Sequence, residues 1–282
     1  MPSVPSPLVS AAALRTRCAG QEPPVLLDVR WSLTGPHGRE DYDRGHLPGA
    51  VFVDLDTELS SARTATSGRH PLPDVAALQE VLRAAGVSGS SVVVLYDARD
   101  ATSAARGWWV LRWAGLTDVA VLDGGLAAWT AAGGEVTTDV PSPPRGDVAL
   151  RAGALPVLDA DAAATLARTG LLLDARAPER YRGEVEPVDP VAGHVPGAVN
   201  APTAANVGPD GTFLPADELR ARFTALGADG VQVGVYCGSG VTAAHELLAL
   251  DVAGLTGTLY PGSWSEWVTN PERPVATGAE TG

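Results

Sequence analysis

The chain has 282 residues, 45% of them hydrophobic, and a net charge of −13. That length suits two domains of roughly 140 residues, and the composition suits ordinary buried cores rather than a disordered chain. Such acidity, with no basic stripe, argues against nucleic acid or an anionic membrane surface as a partner. All 20 basic residues are arginine, which excludes Schiff-base chemistry, pyridoxal phosphate attachment and a P-loop lysine.

In chain order, "MPSVPSPLVSAAALRTRC" lacks a basic leader region, and Arg15 breaks its apolar stretch early. It reads as a first helix and not as a signal peptide. "VLLDVR" (25–30) is a short buried strand, followed by Trp31. "GHLPGAV" (45–51) is a Pro/Gly turn entering another short strand. "VAALQEVLRAAG" (75–86) has helical spacing and a glycine end, and "VVVLYD" (92–97) is again a strand. "LDGGLAAW" (122–129) follows, and then the Pro-rich "TTDVPSPPRGD" (137–147), a natural linker.

Beyond that linker the chain repeats itself. "LLLDAR" (171–176), "GHVPGAV" (193–199), "VQVGVYC" (231–237) and "YPGSWSEW" (260–267) match the four earlier segments in the same order. Two copies of one domain are therefore expected, 1–140 and 145–282, with the boundary near 145. Short buried runs alternating with helices such as "DELRARFTALG" (217–227) read as βαβ units. The fold class is α/β, with mostly parallel sheets flanked by helices. No run of about 18 apolar residues occurs, so no membrane span is expected and the default location is the cytoplasm.

Only two cysteines are present, Cys18 and Cys237, too few and too far apart for a disulfide framework or a zinc cluster. Cys18 falls on the first helix and has no evident role. Cys237 ends a strand and is followed by Gly238, Ser239 and Gly240, then by the helix opening with Val241 and Thr242. Such a loop aims unpaired backbone N–H groups at its centre, a field that favours a thiolate and could hold a persulfide or an oxyanion. Glycines at 238 and 240 would let the backbone approach closely. The first copy has Asp97 in place of the cysteine, so one copy carries a nucleophile and the other none. A cysteine-dependent phosphatase would need an arginine five residues on to clasp the phosphoryl group, and Ala243 stands there. No cysteine-protease context surrounds the residue. Sulfur transfer remains.

Together, "GHLPGA" and "GHVPGA", "WW" (108–109), "LDGG" (122–125), "CGSGVTA" (237–243) and "GSWSEW" (262–267) resemble the two-domain rhodanese-like sulfurtransferases over essentially the whole chain. The resemblance implies two tandem rhodanese-like domains, the first catalytically silent, and Cys237 as the carrier of a persulfide. It implies a small-molecule sulfur donor and a thiol acceptor such as thioredoxin, or cyanide, and no metal or organic cofactor. The uncharged loop resembles that of 3-mercaptopyruvate enzymes, whereas thiosulfate enzymes place cations there; a non-enzymatic persulfide carrier is the reading from another class. Arg180 matches the family's substrate-binding arginine, and His46 a first-domain histidine that relays protons with Ser239. Trp31 resembles an aromatic lining the site, and the main chain of Gly238, Gly240, Val241 and Thr242 frames it. A second substrate arginine has no counterpart, since Val188 stands at its place, and Arg176 or Arg182 could substitute. His194 and His245 read as structural.

Overall fold

The computed structural model describes residues 6–35 and 37–282. Two compact units result: one made of the chain up to Ser61 with Pro73–Leu155 and Gly208–Phe213, the other of Ala62–Leu72, Pro156–Val207 and Leu214–Gly282. The linker expected to end near 145 stays with the first unit up to Leu155. Each unit also takes a short segment from the other half of the chain, an exchange that a linear boundary cannot express.

The first unit contains β1 (Leu8–Val9), α1 (Ala11–Cys18), β2 (Val25–Asp28), α2 (Gly38–Arg44), β3 (Val51–Phe52), α3 (Val75–Ala84), β4 (Val93–Tyr96), α4 (Thr102–Trp113), β5 (Val119–Leu122) and α5 (Gly125–Ala131). The strands form a parallel sheet in the order β1-β5-β4-β2-β3. Helix starts follow the expected chemistry: Asp74 accepts from the Ala77 amide at 2.9 Å to cap α3, whose Leu78 and Leu82 are buried.

The second unit contains α6 (Ala160–Thr169), β6 (Leu171–Asp174), α7 (Pro178–Tyr181), β7 (Val199–Asn200), a 3-10 turn (Thr203–Asn206), α8 (Ala216–Ala225), β8 (Val233–Tyr236), α9 (Val241–Val252), β9 (Thr258–Leu259) and α10 (Ser263–Trp267). Its parallel sheet runs β7-β6-β8-β9. That is the order β3-β2-β4-β5 of the first unit, with the same register: Asp28 faces Tyr96, and Asp174 faces Tyr236.

One buried network recurs in both units and explains two of the repeated motifs. At the end of β2, Asp28 is bound by Arg30 through Nη2 (2.7 Å) and Nε, and Arg30 also donates to the Gly45 carbonyl at 2.8 Å. Asp174, Arg176 and Gly193 repeat this at 2.6 and 2.7 Å. These ions are buried and bound to one another, so deleting one partner would cost about 3–5 kcal/mol. His46 stacks on Tyr42 at 3.7 Å between ring centroids, and His194 on Tyr181 at 3.8 Å. Each histidine Nδ1 meets the carbonyl of its own tyrosine, at 2.9 and 2.8 Å. The His-Leu/Val-Pro-Gly box is thus a buttress joining the strand end to the following turn in both copies.

Asp97 ends β4 where the second unit has its cysteine. Its carboxylate accepts from the amides of Arg99, Ala101, Ser103 and Ala104 and from the Ser103 hydroxyl, at 3.0–3.2 Å. Full burial outweighs these donors and, with Asp100 nearby, pushes Asp97 up to about 6. A carboxyl raised in the folded state favours folding at low pH, and that contribution is lost as pH rises from about 4 through about 6. Denaturant unfolding of the native chain and an Asp97→Asn variant over this window checks it. The native chain is expected to lose stability relative to the variant by up to about 3 kcal/mol, with no further change above neutrality.

Candidate active site

β8 delivers Cys237 at its carboxyl end, the usual place for a ligand on a parallel sheet. The chain then turns through Gly238-Ser239-Gly240, with Gly240 in the left-handed region at φ 80°, and enters α9 without a side-chain cap. Amides at the end of this loop face the cysteine. Those of Ser239 and Gly240 lie 3.4 and 3.2 Å from Cys237 Sγ. Cys237 itself is only 1% exposed, so these dipoles, rather than water, face the sulfur.

The rear of the loop is held by the turn before α10. The Cys237 amide donates to Ser263 Oγ at 3.1 Å, and Ser263 Oγ donates to the Tyr260 carbonyl at 2.9 Å. The amides of Trp264 and Ser265 donate back to the carbonyls of Cys237 and Gly238 at 3.0 and 2.9 Å. Ser263 adopts φ 55°, a left-handed conformation costly for a residue with a Cβ, and does so where its hydroxyl fixes the Cys237 backbone.

Four charged side chains gather beside the loop. Arg180 directs Nη2 to Glu186 Oε1 at 2.7 Å and lies 3.6 Å from Asp189 Oδ2. Arg69 pairs with Asp189 through Nη1. A Cβ built on Gly238 would sit 2.8 Å from Arg69 Nη2 and 3.5 Å from Arg180 Nη1, so both guanidiniums lie over the residue that follows the cysteine. Burial pushes Glu186 up, but hydrogen bonds from Arg180 and from the amides of Asp189 and Val188, with the Arg180 charge, hold its carboxyl below the usual range.

Ser239, 5% exposed, meets His70 Nδ1 through its hydroxyl at 2.7 Å. Both His70 and Arg69 come from the irregular segment Ala62–Leu72, which belongs to the second unit. Gly68 allows the segment to dock: a Cβ there would lie 2.4 Å from the Gly262 carbonyl oxygen. The Arg69 amide then donates to Ser265 Oγ at 3.0 Å.

Among the sequence candidates, Cys237, Ser239, Arg180, Gly238 and Gly240 come together, with Val241 and Thr242 opening α9 behind them. His46 does not hold the place expected for it. Its ring nitrogens face the carbonyls of Tyr42 and Asp139, within the first unit, and the histidine bonded to Ser239 is His70. Trp31, also of the first unit, donates to Asp56 at 2.9 Å. Arg176 is committed to Asp174 and Gly193, and exposed Arg182 to Glu184. Arg176 Nη1 also lies 3.5 Å from Oε2 of Glu186, the carboxylate that Arg180 binds. Arg69 and His70 were missed because "SGRHPLP" has no counterpart in the second copy and no regular spacing. An Arg-His pair inside a Gly/Pro-punctuated loop was the available signal. Cys18 sits half-buried on α1, where burial pushes its thiol up.

Among the described residues no helix is long and apolar enough to cross a membrane, and no cluster of three or more His, Cys, Asp or Glu is arranged to hold a metal ion. The model of the rhodanese-like domain matches residues 10–132 and 159–270. A Mycobacterium tuberculosis protein named as a thiosulfate sulfurtransferase, SseB, is 49% identical over 277 residues, covering 96% of this chain and 97% of its own. A Pseudomonas aeruginosa protein named as a 3-mercaptopyruvate sulfurtransferase is 50% identical over 280 residues, covering 96% and 98%. The crystal structure of SseA from Escherichia coli, described with the rhodanese fold of 3-mercaptopyruvate sulfotransferases, superposes with a TM-score of 0.81 at 31% identity. It is covered completely, by 93% of this chain. With one match on each half and the cysteine loop in the second, this chain belongs to the rhodanese-like family as a tandem of two such domains.

Proposed function

We propose that the protein is a sulfurtransferase that carries sulfane sulfur on Cys237 and takes it preferentially from 3-mercaptopyruvate. One observation carries the reading: a buried cysteine whose sulfur faces two loop amides while two guanidiniums lie over the next residue. That combination suits a nucleophile that must attack a negatively charged donor and then hold an anionic sulfur.

The thiolate of Cys237 attacks the donor's sulfur, forming an S–S bond as the C–S bond breaks. The electron pair of that bond passes to carbon and gives the enolate of pyruvate, which takes a proton and leaves as pyruvate. Ser239 with His70 supplies the proton path, since a hydroxyl 2.7 Å from an imidazole can pass a proton in either direction. An acceptor thiolate, thioredoxin or a small thiol, or cyanide, then attacks the outer sulfur of the persulfide and restores the Cys237 thiolate. The first domain, with Asp97 filling its own amide cradle, is the silent partner in this scheme.

Charge favours 3-mercaptopyruvate over thiosulfate. Arg69 and Arg180 are balanced by Glu186 and Asp189, so the four groups sum to zero. A dianion would add two uncompensated charges beside a thiolate in a buried site, and a monocarboxylate adds only one. Thiosulfate is the second reading, favoured by the name of the mycobacterial relative.

Steady-state assays with each donor at fixed cyanide decide between them. The kcat/KM for 3-mercaptopyruvate is expected to exceed that for thiosulfate by at least about tenfold, which is about 1.4 kcal/mol of discrimination; the reverse order would overturn the donor assignment. Ser239→Ala and His70→Gln are each expected to lower kcat with 3-mercaptopyruvate about 100-fold, and the double variant scarcely further, because the two act as one relay. Additive losses in the double variant would contradict that relay.

A further inference from the structure

We infer that Arg69 is the second anchor for the donor's carboxylate, taking the role left open at Val188 and reaching the site from a different part of the chain. The inference rests on the sulfurtransferase reading above and names a specificity-determining residue of that same site.

Three observations support it. Arg69 Nη2 would lie 2.8 Å from a Cβ on Gly238, nearer than either terminal nitrogen of Arg180, so its guanidinium faces the residue next to the nucleophile. Its Nε is buried and has no hydrogen-bond partner; a buried guanidinium nitrogen left unpaired carries a desolvation cost that an anionic oxygen would relieve. Its backbone is fixed independently of the side chain, by the amide bond to Ser265 and the close packing of Gly68 on Gly262. The fork is thus presented from a rigid support, which limits the entropy lost on binding.

The partners of Arg69 also explain how one valine can be accommodated. Asp189 directly follows Val188 and binds Arg69 Nη1, and its other oxygen lies 3.6 Å from Arg180 Nη2. One carboxylate therefore aligns the two guanidiniums side by side. Two forks so aligned can each give a carboxylate a charge-assisted hydrogen bond, which a single arginine already shared with Glu186 could not provide as fully.

Kinetics of Arg69→Gln and of the charge-balanced Arg69→Gln/Asp189→Asn variant, with 3-mercaptopyruvate as donor and cyanide as acceptor, test the inference. The double variant leaves no unpaired buried carboxylate, so it carries the test if the single variant does not fold. Both are expected to raise KM for 3-mercaptopyruvate about 10–100-fold while kcat stays within about threefold of the native enzyme, the signature of lost uniform binding. If Arg69 only neutralises Asp189, the double variant regains the native KM, and that result would overturn the inference. So would a KM within about threefold of native for Arg69→Gln. A native enzyme that releases no pyruvate from 3-mercaptopyruvate would instead remove the sulfurtransferase reading with this donor, and the inference with it.

Discussion

One sulfur, shielded from water and met by backbone amides, sets the constraint on which the second unit depends. Cys237 is almost wholly buried, and a bare anion there would be prohibitively costly. The loop between β8 and α9 turns two amides onto the sulfur, the kind of partner that a buried anion would need. The rest of the site follows from keeping that loop in shape. Ser263 accepts strain to hold the cysteine amide, and the start of α10 binds the carbonyls of Cys237 and Gly238.

The first unit shows what becomes of the same loop without a sulfur. Asp97 turns its own carboxylate into the amides and satisfies them internally. The same order and register of four strands thus support one loop whose amides face a sulfur and another whose amides are taken up by its own carboxylate. The difference lies in one strand-end residue and in the composition of the few positions after it.

Much of this was legible in the sequence, and the failures have a common cause. Short buried runs and their order gave the parallel sheets, because buried strands and helix caps leave local signatures. Internal repetition identified the two domains and set Cys237 apart from Asp97. The same repetition also bore on His46: its counterpart His194 makes the same tyrosine stack in the second unit, so a residue present in both copies serves the fold. Arg69 and His70 lie where the repeat is broken, in a loop that crosses from one half of the chain into the other unit. Their place beside the loop depends on Gly68 approaching Gly262, a long-range contact with no local periodicity.

Intact-mass analysis of the purified protein after brief exposure to 3-mercaptopyruvate, with Cys237→Ser alongside and no acceptor present, tests the central claim most directly. A gain of one sulfur atom in the native chain, absent from the variant and removed by cyanide, is the expected result. No gain in the native chain with 3-mercaptopyruvate or with thiosulfate, or an equal gain in the variant, would contradict Cys237 as the sulfur carrier.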